Sequence, residues 1–269
     1  MGLSVPPSLF VSHGAPSMML EPSPTRAFLQ TLPALLPTRP KAILIVSAHW
    51  QAPVSMLNGL GAHRTIHDFG GFPEALYAMH YPAPGAPGLV ERARVLLGEQ
   101  GVQVVVDAQR GLDHGAWVPL LLGWPAADIP VAQLALVAGA GAGVHMALGR
   151  ALAPLRREGV LVIGSGSFTH NLREWMVGAG RGAGVSSPSP GWVAEFADWM
   201  HEHLDRADLA ALGDYRERAP FARRNHPTDE HLMPLFVALG AAGERPTAIR
   251  LHQSAEHGVM RMDAYRFDG

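Results

Sequence analysis

An α/β fold is predicted, one domain over residues 1–269 with a mostly parallel or mixed central sheet and helices on both faces. Three observations carry this. Short β-rich runs alternate with longer stretches of helical period, the pattern of strand–helix–strand units. Several strand runs, among them A-I-L-I-V-S-A (42–48) and V-L-V-I-G-S (160–165), are continuously apolar, as strands covered on both faces are. The last two runs are joined by the short H-Q-S-A-E-H-G connection (252–258), which reads as a hairpin and makes the sheet mixed.

Taken in order, S-L-F-V-S gives a first strand at 8–12, and apolar positions at helical spacing predict a helix over 24–36. Strands at 42–48 and 53–57 precede helices at 73–79 and 88–99. A strand at 102–106, a helix at 116–123 and a strand at 131–137 follow. The nearly uncharged stretch from Ala116 to Val144 is too interrupted, by Pro119, Pro125, Asp128, Pro130 and Gln133, to cross a membrane. A helix at 144–157 leads to the strand at 160–165, and helices at 191–206, 207–213 and 230–240 precede the terminal strands at 247–252 and 258–264. One segment resembles a linker, G-A-G-R-G-A-G-V-S-S-P-S-P-G at 178–191; it reads as a mobile surface loop placed to act as a lid.

Net charge is −2, with no electrostatic footprint for nucleic acid or an anionic membrane. Small molecules, or further copies of the chain in a homo-oligomer, remain as partners. The N-terminus M-G-L-S-V-P lacks a basic signal-peptide region, and Pro6 stands where a myristoylation signal needs Ser or Thr, so a cytoplasmic protein is expected. There is no Cys, whereas the 14 His outnumber Phe and Tyr together (9 and 4). A metal site must therefore use imidazole and oxygen ligands, which excludes iron–sulfur and Cys₄ zinc centres.

Four histidines stand at the end of an apolar run or the mouth of a turn: His13, His49, His170 and His231. The first three are carried past the end of a buried strand, where an open α/β sheet assembles its ligand site. Gly14 after His13, and Ser47-Ala48 before His49, leave room for close approach. Thr228 reads as the N-cap of a helix that carries His231 near its start, with Pro227 before it. His226 reads as local structure. Each histidine alone is equally compatible with a hydrogen-bonded structural role; their company favours chemistry.

Other signatures fail on spacing. G-A-G-A-G (139–143) puts its third glycine one place early for a dinucleotide loop. G-S-G-S (164–167) lacks the nucleophile-elbow pattern, and His201-Glu202-His203 is not H-E-x-x-H.

The motifs H-G-A-P (13–16), S-A-H-W (47–50), H-D-F-G-G-F-P-E-A-L-Y (67–77), L-D-H-G-A-W-V-P-L (112–120), S-F-T-H-N-L (167–172) and H-P-T-D-E-H-L-M-P-L (226–235) occur in this order. Together with H-G-V-M-R-M-D-A-Y-R-F at 257–267 they span nearly the whole chain, and the sequence resembles the class III extradiol ring-opening dioxygenases. The resemblance is to the DOPA 4,5-dioxygenase branch, related to the protocatechuate 4,5-dioxygenase catalytic (beta) subunit.

That resemblance implies metal ligation by His13, His49 and His231, with His170 as the acid–base residue or a fourth ligand when zinc is bound. It implies that His114 reaches the bound diol or dioxygen. Many superfamily members use two His and a carboxylate; the third position here reads His231, with Glu230 as the neighbouring alternative. A neutral three-His set also suits zinc, so Fe(II) is the expected working metal and Zn(II) is expected to compete for the isolated protein. The implied substrates are a small aromatic diol and O₂, with ring opening to a hydroxymuconic semialdehyde. His67, Trp50, Phe72 and Trp117 are the substrate-binding candidates, with Phe69 and Tyr77 available for the same apolar pocket. Arg223 and Arg224 are the candidates for reading an acidic tail. His63 and His80 read as structural, and His145, His201, His203 and His252 as surface or capping residues. Two other classes stay open on the residues alone: a zinc hydrolase using the same imidazoles, and a non-catalytic metal-binding protein on the same scaffold.

Overall fold

Side chains alternate across the central strands and divide the interior into two layers. In the computed structural model, which describes residues 5–59, 61–180, 182, 184 and 187–269, strand β2 (Ala42–Ala52) sends Leu44 and Val46 into one layer and Ile43 and Ile45 into the other. Strands β1 (Ser8–Ser12) and β6 (Val160–Gly166) divide in the same way: Phe10 and Val162 on one side, Leu9, Val11, Leu161 and Ile163 on the other. This period of two, with both faces apolar, is what a doubly covered sheet requires.

The remaining strands of the main sheet are β3 (Ser55–Leu57), β4 (Val104–Val106), β5 (Val131–Val137), β7 (Thr247–His252) and β10 (Ala264–Asp268). The order is β4-β3-β5-β2-β6-β1-β10-β7. The four central strands β5, β2, β6 and β1 run parallel, while β3 against β5, and β10 against β1 and β7, are antiparallel. The sheet is mixed, as expected. The parallel block points the C-terminal ends of β1, β2 and β6 the same way, and the His13 amide extends the β1–β6 ladder by donating to Gly166 O at 2.9 Å.

Helices cover both faces. They are α1 (Pro24–Leu29), α2 (Glu74–Tyr77), α3 (Pro87–Glu99), α4 (His114–Gly123), α5 (Ala142–Leu152), α6 (Pro154–Arg157), α7 (Leu172–Gly180), α8 (Gly191–Asp205), α9 (Leu209–Gly213), α10 (Tyr215–Arg218), α11 (Ala222–Asn225) and α12 (Met233–Ala241). Helices α12 and α5 cross closely on one face, because a Cβ on Gly149 would lie 2.1 Å from Val237 O and one on Gly240 2.1 Å from Met146 O. Helix α4 covers the other face. Among the described residues, no helix is long and apolar enough to cross a membrane.

Several boundaries differ from the sequence reading. The helix expected over 24–36 stops at Leu29 and resumes as a single 3₁₀ turn, Leu32–Leu35, with Pro33 near its start. The one expected over 144–157 breaks before Pro154, which has no amide to continue the ladder. Helix α12 begins at Met233, so Thr228 is not its cap; the Thr228 hydroxyl instead meets Glu230 Oε1 at 3.1 Å. The expected terminal strand at 258–264 is split. Strand β9 (Met260–Arg261) pairs with β8 (Ala255–Glu256) in a separate ribbon, and β10 pairs with β7, so the 252–258 connection is not a simple hairpin turn. Arg261 clamps the buried Asp263 with two 2.9 Å hydrogen bonds at that break. Helix α7 was not expected, and it takes residues 178–180 from the predicted 178–191 loop, several of whose other residues lie outside the described ones.

Candidate active site

The backbone next to β6 is as important as its side chains. A Cβ on Gly164 would stand 2.0 Å from Pro234 O, and one on Gly166 2.1 Å from His231 O. Only glycine admits that approach, so the 231–234 backbone lies directly on the end of β6. The Ser167 amide completes the contact by donating to His231 O at 2.9 Å. His231 is thereby fixed in a turn ahead of α12, over the strand ends that carry His13 and His49. The G-S-G-S run, empty as a nucleophile motif, is a docking platform.

Between its two glycines, Ser165 faces the opposite layer. Its hydroxyl donates to Gly115 O (2.5 Å) and so accepts from His13 Nδ1 (3.0 Å). Gly115, near the start of α4, has no room for a side chain: a Cβ there would meet Ser47 Oγ at 2.3 Å, His49 Cδ2 at 2.9 Å and His13 Cε1 at 3.0 Å. Asp113 caps α4 at Ala116 N (3.2 Å) and accepts from Ser47 Oγ (2.6 Å), Gln133 Nε2 (2.7 Å) and Arg110 Nη2 (3.0 Å). Ser47 Oγ in turn accepts from the His49 amide (3.1 Å). A buried polar network thus holds the end of β2 against α4.

These supports bring His13, His49 and His231 together, with one ring nitrogen from each lying within 4.8 Å of the others. His13 Nε2 and His49 Nε2 are 3.1 Å apart. Two outer nitrogens are hydrogen-bonded, His13 Nδ1 to Ser165 and His231 Nδ1 to the Glu230 carboxylate at 2.9 Å, while His49 Nδ1 lies 3.7 Å from Asp68 Oδ2, beyond hydrogen-bond distance. Glu230 is therefore placed as the acceptor behind His231. Burial, then the neighbouring histidines, holds His13 and His231 well below the usual imidazole range, and burial first takes His49 down to about 4. All three are neutral at pH 7. Neutral imidazoles, two of them with the outward nitrogen hydrogen-bonded, fit a borderline divalent cation.

His114 and His170 flank this group on opposite sides. The His114 ring is 3.9 Å from that of His49 between centroids; its Nδ1 lies 3.1 Å from Asp68 Oδ2, and its amide donates to Asp68 Oδ1 at 2.9 Å. Burial opposes ionisation of Asp68, but hydrogen bonding and charge from His114, aided by His49, draw its carboxyl down to about 2. His170 stacks on His231 at 3.5 Å with ring planes 9° apart. The lone pairs of parallel stacked rings run side by side, and a ring nitrogen each of His170 and His231 and a carboxylate oxygen of Glu230 form a second close group beside the three-imidazole set. Desolvation lowers it to about 4 against the pull of Glu230.

The substrate-binding candidates separate. Phe72 lines a cavity of about 460 Å³ beside Gly14 and stacks edge-on with Phe69 (5.4 Å), which reaches the His114 ring (5.8 Å). His67 donates from Nε2 to Met79 O (3.0 Å) and shares an aromatic cluster with Phe69, Tyr77 and Trp117. Trp117 is 0% exposed, with its indole N–H on Ile66 O, and belongs to the core beneath that cluster. Trp50 is not brought to the site: it alternates away from His49 on β2, packs with Ala52, Ala135 and Met56, and carries Arg110 over its ring at 5.2 Å. Arg223 and Arg224 are paired on the surface with Glu217 and Glu174.

The other histidines divide as follows. His63 and His226 are buried and donate to Val131 O and Phe168 O, which makes them structural. His145, expected as a surface or capping residue, is buried and bridges Gly141 O and the Val137 amide. His80 is exposed. His203 is half-buried against Trp199, and His201 meets the Tyr265 hydroxyl at 3.3 Å. Sequence reasoning missed Ser165, Gly115, Asp113 and the orienting role of Asp68. The one signal available was the small residue beside His13, His49 and His114.

Comparison with known sequences decides the family. The profile of the family described as the catalytic LigB subunit of aromatic ring-opening dioxygenase matches residues 1–265. The chain belongs to the LigB family. The chain is 42% identical to the 4,5-DOPA dioxygenase extradiol of Beta vulgaris over 266 residues, covering 97% of this chain and 96% of that one. It is 39% identical to the protein of the same name from Escherichia coli K12, covering 95% and 92%. Among solved structures it is similar to the crystal structure of an uncharacterized protein from Escherichia coli K12, with a TM-score of 0.78 and 32% identity, covering 98% of this chain and 100% of that one. LigB-family dioxygenases depend on a metal, and three histidines converge that could hold one. This LigB-family chain is accordingly an extradiol ring-opening dioxygenase, which sets aside the zinc hydrolase and the purely metal-binding reading.

Proposed function

We propose that this enzyme opens a catechol with a DOPA-like side chain to a hydroxymuconic semialdehyde, using one Fe(II) ion held by His13, His49 and His231, in the cytoplasm. The convergence of three neutral imidazoles, flanked by His114 and His170, carries the reading. The substrate class is supported by the names of the relatives from Beta vulgaris, Portulaca grandiflora and Mirabilis jalapa. Ferrous iron at this site would supply the electron path by which triplet dioxygen and a singlet catechol react. Zinc suits the same donors, so protein purified without added iron is expected to carry some zinc.

The chain's own residues manage position and protons. His170 is neutral at pH 7 and stands against His231, where its free nitrogen can accept the proton that a catechol hydroxyl must lose on binding. The Asp68 carboxylate accepts from the His114 amide and lies 3.1 Å from the ring's Nδ1, and the other nitrogen of this ring, beside His49, is the one that would hydrogen-bond the reacting oxygens. Phe69 and Phe72 keep water from one side of the ring. The test is anaerobic loading with Fe(II), followed by a catechol and air. Oxygen uptake with a yellow product supports the proposal; no uptake with any catechol contradicts it.

A further inference from the structure

We infer that Glu256 reads the ammonium group of the substrate's side chain, so that the favoured catechols carry a cationic tail. The inference rests on the catechol reading above and deepens it. The cavity of about 460 Å³ adjoins the histidine cluster. Gly14 follows His13, Leu172 lies two residues beyond His170, and Phe72 is linked through Phe69 to His114, and all three residues line it. A molecule with its diol at the histidines therefore extends its far end here.

The cavity walls are largely apolar, from Met18, Trp175, Met260 and Met262, and the ionisable groups on them are Glu21, Glu256 and His257. Among the described residues, no Lys or Arg lines it. Arg223 and Arg224, which might otherwise read a carboxylate, are engaged elsewhere with Glu217 and Glu174. Of the two acids Glu21 is exposed, whereas Glu256 Oε1 is buried with no hydrogen-bond donor among the described residues. Glu256 Oε2 comes within 3.9 Å of where a Cβ on Gly14 would stand, so the carboxylate is one residue from the His13 end of the site. A buried carboxylate oxygen without a donor is costly unless a ligand supplies one. An ammonium group does so with a charge-assisted bond, and the rings of Trp175 and Phe72 favour a cation beside them. An anionic tail would meet like charge.

The test uses iron-loaded wild-type protein with four catechols: dopamine (cationic tail), DOPA (zwitterionic), dihydrocaffeate (anionic) and 4-methylcatechol (uncharged). Dopamine is expected to exceed dihydrocaffeate in kcat/KM by at least ~10-fold. Glu256→Gln should lower kcat/KM for dopamine at least ~10-fold more than for 4-methylcatechol, mainly through KM, with Glu256→Asp recovering part of the loss. Equal kcat/KM for dopamine and dihydrocaffeate in the wild type overturns the inference even if the variants fail to fold. So does a Glu256→Gln loss of the same size for all four. Opening of 4-methylcatechol without an advantage for the amine leaves the catechol reading standing and removes only this inference; opening of none removes both.

Discussion

Ser165 determines which nitrogen of His13 is free. Its hydroxyl proton is committed to Gly115 O at 2.5 Å, so at 3.0 Å it can only accept from His13 Nδ1. That leaves His13 Nε2 with a bare lone pair, 3.1 Å from His49 Nε2. Glu230 does the same for His231 from the other side. The tautomers that suit metal ligation are thus built into the apo fold by groups that touch no ligand themselves.

Ser165→Ala should therefore weaken Fe(II) or Zn(II) binding by ~10-fold or more while leaving the fold intact. Chelator competition measures the affinity, and circular dichroism checks the fold. Unchanged affinity in a folded variant would show that the Ser165 contact does not set the tautomer.

His170→Ala should lower kcat by ~100-fold or more, the usual scale for a lost acid–base group, yet retain metal. The stacked geometry on His231 is the reason. Metal analysis alongside steady-state kinetics separates the two roles, and loss of metal in proportion to activity would make His170 a ligand.

Asp68→Asn keeps the shape of the side chain and removes the charge behind His114 and His49. A kcat loss of ~10-fold or more is expected, with KM for the catechol little changed. A rise in KM alone would place Asp68 in substrate binding.

The metal-free protein should lose stability on the acid side. His226, buried and bonded to Phe168 O, is pushed down to about 3, and His49 and His170 to about 4. Below pH 6.5 the unfolded chain takes up protons that these sites refuse, so stability falls as pH drops from about 6.5 toward 4, by up to ~1.4 kcal/mol per pH unit for each such group. Urea unfolding of apo-protein at pH 7.5 and pH 5 measures this, and equal midpoints would contradict it.

The strand runs and the four histidine motifs were legible because each is local: an apolar run ends, and a histidine follows within a few residues. What the sequence could not reveal depends on contacts between distant segments. Gly164 and Gly166 stand out in the sequence only within a failed nucleophile motif, yet they let the 231–234 backbone settle on β6. Asp113, Gln133, Ser47 and Arg110 form one network from three separate stretches of chain. The helix start at 233 was misjudged because a threonine three residues before His231 resembles a cap, whereas the 231 carbonyl is held by Ser167. Trp50 was misplaced for a simpler reason: adjacent residues on a strand face opposite ways, so a tryptophan beside His49 must point from it.

Iron content and oxygen uptake, measured together on wild type and on His13→Ala, His49→Ala and His231→Ala after anaerobic Fe(II) loading, test the three-imidazole centre most directly. About one iron per chain with catechol-dependent uptake is predicted for the wild type, and loss of both in each variant. Full iron and full uptake in any one of the three folded variants would contradict it.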